Sequence, residues 1–281
     1  ELTLAFYGGT TGGNVGGSPS GTPASYSGFL QGTSFAAPIV AGGAALVVDV
    51  MKDIHSTDPQ AIDGRVIKAI LQTSAQKDPG WNNGQAPEAG VITTTQSLDW
   101  ETGAGILDLA QAYSHITSGT ANVPGLGGGA VATNGWDFGQ VAQGTPNDYI
   151  IGTPLLGGST LTVTLDWFVD SVFSTTSTLV RYGSMDNLNL SVWEVIGGVP
   201  TNLIAESISI YNNVEHLSFQ IPQDGDYAMR VTWNGEIYDF NGDVNQEAYG
   251  LSWSGVAVPA PGGVIVLLGA AAGALRRRRR I

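Results

Sequence analysis

The feature that most constrains this chain is the stretch Gly32–Gly42 (GTSFAAPIVAG), in which Ser34 is followed by small apolar residues. Gly32 has no Cβ and permits a backbone geometry that other residues block. The residues after Ser34 predict a helix that runs to about Met51, with Pro38 in or near its first turn. Negative charge on an acyl oxygen is stabilised at a helix N-terminus, where free N–H groups meet the dipole. Because its side chains are small and apolar all round, we expect this helix to be buried against a sheet.

The sequence GTSFAAPIVAGGAAL resembles the serine motif of the subtilisin-like serine peptidases, G-T-S-x-A-x-P-x-V-A-G. The resemblance implies that Ser34 is the catalytic nucleophile and that its own backbone N–H is one oxyanion donor, with Thr33 as a supporting neighbour. Two alternatives stay open. Ser34 could serve only as the N-cap of a buried helix, or the chain could be a relative that keeps the serine but has lost activity.

The other catalytic groups of this family precede the serine in the chain. Only 33 residues precede Ser34, and none of them is a histidine. The resemblance therefore implies that the aspartate, the histidine and the oxyanion asparagine lie upstream, and that this chain is inactive alone. Since the sequence begins at Glu1 with no export signal, we expect that an upstream part was removed or that the sequence is a fragment.

The histidines of the chain, His55, His115 and His216, all follow Ser34. A Ser…Asp…His order is typical of α/β-hydrolases, but the sequence has G-T-S-F-A where their elbow needs G-x-S-x-G. His55 lies one helix length beyond the serine, about 25 Å or more along the axis, so it cannot act as the base. We expect all three to be solvated. An esterase of that fold stays an alternative and requires a histidine within hydrogen-bond reach of Ser34.

Two further segments on either side of the serine helix fit the order of the same family. Leu2–Tyr7 predicts a buried strand, followed by a Gly/Ser/Thr-rich loop over residues 8–28. Downstream, the sequence TGAGILD ending at Asp108 is similar to the closing G-x-G-x-x-[DN] segment, and Asp108 should cap a short helix reaching Tyr113.

A helix between these segments is predicted from its cap and its periodicity. Asp58 followed by proline predicts an N-cap and a first helical residue. The helix should continue to about Thr73 and share one apolar face. The predicted residues of that face are Ile62, Val66, Ala69 and Ile70.

The second half of the chain has the alternating pattern of β-strands. We predict that residues 1–118 are the C-terminal part of an α/β subtilisin-like domain, that 119–135 are a Gly-rich linker, and that 136–255 form an all-β antiparallel sandwich. The sandwich resembles the bacterial pre-peptidase C-terminal domain, with a convertase-like P domain as the nearest substitute. The predicted strands are Leu161–Val169, Leu188–Val195, Glu215–Ile221, Asp226–Trp233 and Tyr249–Trp253.

Two sets of residues on these strands and loops could form binding sites. Four tryptophans could stack carbohydrate, although packing in the core is the favoured interpretation: Trp167, Trp193, Trp233 and Trp253. Loop aspartates could bind calcium, but no segment has EF-hand spacing, so a calcium site is possible and unassigned. The candidate aspartates are Asp166, Asp170, Asp186, Asp224, Asp226, Asp239 and Asp243.

The charge distribution excludes one class of partner. The net charge is -13, and five of the eleven basic residues form the terminal run Arg276–Arg280. The rest of the chain is therefore strongly acidic and should repel nucleic acid.

The absence of cysteine excludes a disulfide framework and a thiolate metal site.

Residues 256–281 predict a sorting tail. A V-P-A-P motif at Val258 precedes the apolar run Gly262–Leu275 and the five arginines; this run is shorter than the roughly 20 residues that span a bilayer. The tail resembles a PEP-CTERM sorting signal, with Ala260 in place of the usual glutamate. The resemblance implies recognition and removal by a membrane transpeptidase, transient membrane association through residues 262–280 and cytoplasmic arginines.

Together these observations predict a secreted or cell-surface bacterial serine endopeptidase that cleaves protein or peptide substrates through Ser34. The alternative is a non-catalytic, surface-anchored binding or matrix protein built on a peptidase-derived scaffold.

Overall fold

The computed structural model describes residues 2–5, 26–30, 32–173, 181–239, 242 and 245–259. Most of the predicted loop 8–28, the tail beyond Pro259 and Asp243 lie outside the described residues. The chain forms two compact units, residues 1–46 and 47–281.

The first unit contains one described pair of β-strands and the beginning of the serine helix. Strands β1 (Leu2–Ala5) and β2 (Tyr26–Leu30) pair in antiparallel orientation, and helix α1 covers Thr33–Ile54. The predicted helix is therefore confirmed, and so is the predicted strand over Leu2–Ala5. The remainder of that strand and its predicted burial lie outside the described residues. Pro38 lies inside the helix just after its first turn, in agreement with the prediction that it lies in or near that turn.

The prediction that α1 is buried all round is wrong for the described residues. The side chains of Ile39, Val40 and Leu46 are 47%, 43% and 60% exposed, whereas Val47 and Met51 are buried. Val47 and Met51 are four residues apart and share one face, so only that face meets packed side chains within the described part of the chain.

By length and apolar composition alone (mean hydropathy 1.8), α1 is also the one described helix that could span a membrane, although the core helices of soluble proteins have the same properties.

The second unit is a mixed α/β structure in which strands predominate. Its helical elements are a 3₁₀ turn (Pro59–Ile62), α2 (Gly64–Ser74) and α3 (Leu109–Thr117). Its strands are β3 (Ala86–Glu88), β4 (Val91–Thr94), β5 (Thr120–Ala121), β6 (Gly129–Val131), β7 (Asn134–Ala142), β8 (Asn147–Ile151), β9 (Thr160–Trp167), β10 (Asp170–Phe173), β11 (Arg181–Ile196), β12 (Val199–Ser207), β13 (Val214–Gln220), β14 (Tyr227–Asp239) and β15 (Gln246–Ser254).

The strands form two sheets. The larger has the order β3-β4-β12-β11-β14-β8-β6, with β10 paired to β11, and the smaller has the order β13-β9-β15-β7-β5. The predicted purely antiparallel pairing is corrected, because β4–β12, β5–β7 and β6–β8 are parallel pairs. Each parallel pair adds a short strand at or near a sheet edge, where backbone groups would otherwise be unpaired.

Alternate residues of both sheets form one apolar core. Leu165 and Trp167 of β9, Leu251 of β15 and Leu190 of β11 are all buried in it. The remaining face of the smaller sheet packs against α2, where Gly250 lets the helix approach closely: a Cβ there would lie 2.3 Å from the carbonyl carbon of Arg65. The second unit thus consists of a helical layer and two sheets that share a core.

Two predictions about the elements of this unit need correction. The segment 119–135, predicted as a linker, contributes β5 and β6 to the two sheets. The predicted helix from Asp58 is interrupted, because the side chain of Asp63 accepts the N–H of Arg65 and caps α2 separately. Consequently Ile62 is 40% exposed, while the other three predicted face residues are buried.

The four tryptophans behave largely as the core interpretation predicts. Trp167 and Trp253 are buried, and their indole N–H groups donate to backbone carbonyls. Trp193 and Trp233 are partly buried; the guanidinium of Arg230 lies 4.8 Å from the Trp193 ring. None of these four rings therefore presents an uncovered platform.

Candidate functional site

The predicted nucleophile lies at the start of α1. Gly32 has φ +136°, a conformation that residues with a Cβ rarely adopt, and its carbonyl oxygen accepts the N–H groups of Phe35 (3.0 Å) and Ala36 (3.2 Å). These bonds close the first helical turn around Thr33 and Ser34, both of which are exposed. The Ser34 side chain is therefore on the surface of the described structure, at the first turn of a long helix.

Two features of this helix end favour an anion beside Ser34. The first N–H groups of an α-helix have no acceptor within the helix, and the helix dipole adds partial positive charge there. The first turn of α1 contains no acidic residue that would compete for these groups. An oxyanion placed at the Ser34 amide would receive both contributions.

His55 is committed to structural contacts at the other end of α1. The Nε2 atom of His55 donates to the carbonyl oxygen of Ile116 (3.4 Å), and its ring makes an edge contact with Trp136 at 5.2 Å between centroids. Helix α1, which begins one residue before Ser34 and ends one residue before His55, has 22 residues, so the two side chains are about 30 Å apart along its axis. His55 therefore cannot accept the proton of Ser34.

His115 and His216 are buried, so the prediction that they are solvated is wrong. Nε2 of His115 donates to the carbonyl oxygen of Trp253 (2.7 Å), and burial lowers the pKa of this imidazole. Nδ1 of His216 lies 2.8 Å from the hydroxyl of Thr164, and burial, assisted by the positive charge of Lys77, holds its pKa well below the usual range. Both are neutral side chains packed into the second unit.

The described aspartates that were considered as calcium ligands lie on several different strands and loops. In the described part of the chain, no group of three histidine, aspartate or glutamate side chains could hold a metal ion. Asp166, fully buried, pairs instead with Lys68, whose Nζ lies 2.6 Å from Oδ1. Burial raises the pKa of Asp166 to about 7, and the neighbouring ammonium offsets part of this rise.

Trp100 and Tyr211, which the sequence analysis did not single out, are the most exposed aromatic residues described. Their side chains are 87% and 81% exposed, and both line one open cleft of about 430 Å³. Neither lies in an alternating strand, so periodicity gave no signal for them. Their common position is set by the pairing of strands that are distant in sequence.

Comparison with protein-family models gives a match to the first part of the chain. The model of the subtilase family (peptidase S8) matches residues 1–89, which include Ser34 and all of α1. The comparison with curated protein sequences gives no significant match. Residues 1–89 are thus similar to subtilases.

Two solved structures show weak similarity. One is PliG of Aeromonas hydrophila, a periplasmic inhibitor of g-type lysozyme (15% identity, TM-score 0.28, covering 48% of this chain and 99% of PliG). The other is CorA, a surface-associated copper-binding protein of Methylomicrobium album BG8 (10% identity, TM-score 0.14, covering 43% of this chain and 80% of CorA). At these TM-scores neither similarity supports a conclusion about fold or function.

Proposed function

We propose that this chain supplies the nucleophile of a subtilisin-type serine endopeptidase that hydrolyses protein or peptide substrates. The observation that carries the proposal is the position of Ser34. It is exposed in the first turn of α1, directly after a glycine with φ +136°, and lies in the segment similar to subtilases.

In the proposed reaction, the Ser34 oxygen attacks the carbonyl carbon of the scissile bond while a histidine accepts the hydroxyl proton. The carbonyl oxygen becomes negative and is stabilised by the Ser34 N–H at the helix N-terminus, with Thr33 supporting this turn. Collapse of the intermediate breaks the C–N bond, and the imidazolium protonates the leaving amine. Water then attacks the carbonyl carbon of the acyl-enzyme and gives a proton to the histidine. The ester bond to the Ser34 oxygen breaks, the imidazolium returns the proton to that oxygen, and the carboxylic acid leaves.

The histidine of this reaction is none of the three in the chain. His115 and His216 are buried with other partners, and His55 lies beyond the far end of α1. We therefore propose that the base, its aspartate and the oxyanion asparagine come from outside these 281 residues. Alone, the chain should show no peptidase activity.

The remaining predictions extend this proposal. We propose that the second half of the chain forms a sandwich similar to the pre-peptidase C-terminal domain, within the limits 136–255. Residues 256–281 would act as a PEP-CTERM-like signal, read by a membrane transpeptidase during export to the cell surface. Residues Val256 and Val258, at the beginning of this tail, form backbone hydrogen bonds with Leu156 and Pro154, so a cleavage site should lie after them.

The test is hydrolysis of a casein substrate by the full-length protein, compared with Ser34→Ala and with Ser56→Ala as a control at another exposed serine. We expect the control to keep full activity and Ser34→Ala to lose at least about 1,000-fold in kcat. Substantial activity in Ser34→Ala would overturn the proposal. Inactivity of the full-length protein would favour the non-catalytic surface protein instead.

A further inference from the structure

Two surface loops of the second unit leave the larger sheet side by side. Strand β12 runs parallel to β4, with Ser207 in register with Thr94, so both strands end at the same edge. The N–H of Ile208 donates to the carbonyl oxygen of Thr94 (3.0 Å) and continues this pairing beyond the strands. The loop 95–100 and the loop 208–213 therefore begin next to each other.

A buried carboxyl group anchors both loops from below. Oε2 of Glu215, which is completely buried, accepts the hydroxyl of Ser97 (3.1 Å) from one loop and that of Ser207 from the end of β12. In the second loop, the Ser209 hydroxyl oxygen accepts Nδ2 of Asn212 (3.0 Å). These bonds hold the bases of both loops in one arrangement.

The tip of the first loop, around Asp99, is also fixed by hydrogen bonds. The carboxylate of Asp99 accepts backbone N–H groups from Asn82, Glu101 and Thr102 at 2.8–2.9 Å, and these bonds lower its pKa to about 2. Asp99 and Gly103 also exchange two backbone hydrogen bonds of 3.1 Å. Trp100 lies within this closed turn, so its backbone is held in place while its side chain is exposed.

The result is an open cleft with two aromatic rings and a polar rim. Trp100 and Tyr211 keep more than four-fifths of their surface in water, although burying such a side chain removes about 150–250 Å² from solvent. Gln96, Asp99 and Asn212 line the same cleft. The two carboxamides each use one N–H in a bond within their loop, to Leu98 and Ser209 respectively, and retain an oxygen acceptor for a ligand.

We propose that this aromatic cleft (residues 95–100 and 209–214) binds a neutral pyranose oligosaccharide. A β-linked pyranose presents flat C–H faces that stack on open aromatic rings, and its hydroxyls pair with carboxamide and carboxylate groups. A quaternary ammonium group would require an enclosing aromatic cage, whereas these rings are open and the cleft holds about 430 Å³. Fixed loops reduce the entropy lost on binding. The proposal is independent of the peptidase function.

Calorimetric titration of the full chain with cellotetraose and with tetra-N-acetylchitotetraose tests the proposal. We expect one of them to bind, and we expect Trp100→Ala and Tyr211→Ala each to raise Kd about tenfold or more. The control is Tyr113→Ala, which removes a half-exposed tyrosine on α3 outside the cleft and should leave Kd unchanged. Trp100→Phe should retain part of the affinity, because it keeps a ring.

Three results would overturn the proposal. The first is an absence of binding by both oligosaccharides. The second is equal affinity in the wild type and in the two alanine variants, with thermal unfolding confirming that they are folded. The third is binding of a proline-rich peptide or of tetramethylammonium without binding of either sugar, which would assign the cleft to a different ligand.

Discussion

The Nζ atom of Lys68 on α2 lies 2.6 Å from Oδ1 of Asp166 on β9, a carboxylate with no solvent exposure. This ion pair joins the helical layer to the smaller sheet. Burial raises the pKa of Asp166 from 3.8 to about 7, even though Lys68 lowers it in part. The folded chain therefore binds the Asp166 proton more tightly than the unfolded chain does, and this contribution to stability is present below about pH 4 and lost as the pH rises through about 7.

Lys68→Met should destabilise the protein more at pH 8 than at pH 5. The variant removes the cation that stabilises the Asp166 carboxylate. Protonated Asp166 is uncharged, so it gains less from that cation. Because the Lys68 side chain is 42% exposed, we expect a loss of about 1–3 kcal/mol at pH 8, below the cost of breaking a fully buried pair. Urea unfolding at pH 5 and at pH 8 measures this loss in the free energy of unfolding. Lys68→Met in an Asp166→Asn background is the control, and an equal loss there would contradict the coupling.

Glu215→Gln should make stability less dependent on pH between about 5 and 9. Burial raises the pKa of Glu215 from 4.5 to about 8, so the stabilisation from its bound proton is complete below about pH 4.5 and disappears as the pH rises through about 8. Glutamine keeps a neutral, similarly shaped group. We expect near-equal stability at pH 5 and a more stable variant at pH 9.

Urea unfolding of wild type and Glu215→Gln at these two pH values makes the comparison. Glu88→Gln, on an exposed strand, serves as the control and should change stability by less than about 0.5 kcal/mol at both. A Glu215→Gln variant that is less stable than wild type at pH 9 would show that the buried group is a carboxylate with favourable partners.

Gly250→Ala should destabilise the contact between α2 and β15. The new Cβ would lie 2.3 Å from the carbonyl carbon of Arg65 and 2.5 Å from the Val66 nitrogen, so the helix must move. We expect a loss of at least about 2 kcal/mol. Gly152→Ala is the matched control, because its nearest described atom, the Val131 oxygen, lies 3.6 Å away. Equal thermal shifts in the two variants would show that α2 does not pack on Gly250.

Much of the fold could be predicted because its signals are local. The alternation of Leu161–Val169 and of Leu188–Val195 identifies β9 and β11, since side chains of a strand point to opposite faces in turn. Asp108 caps α3 as predicted, its carboxylate accepting the N–H of Gln111 at 2.9 Å. The length of the helix after Asp58 could not be predicted in the same way. Asp58 caps only a 3₁₀ turn, because Asp63 caps a separate helix five residues later.

The features that the sequence did not reveal depend on contacts between distant segments. His115 is buried because it bonds to Trp253, 138 residues away, and His216 because it meets Thr164, 52 residues away. The parallel strands β5 and β6 come from a Gly-rich segment that has no strand pattern of its own. Ser34 is the opposite case, since its motif spans a few residues and its helix follows directly.

The most direct test of the central claim is to locate the adduct that a fluorophosphonate probe forms on the full-length protein. Such probes phosphonylate a serine only when its hydroxyl is activated by a base. We predict that mass spectrometry finds the phosphonyl group on Ser34, that Ser34→Ala abolishes labelling, and that Ser56→Ala leaves it unchanged. Labelling of a different serine, or active hydrolysis without modification of Ser34, would contradict the account.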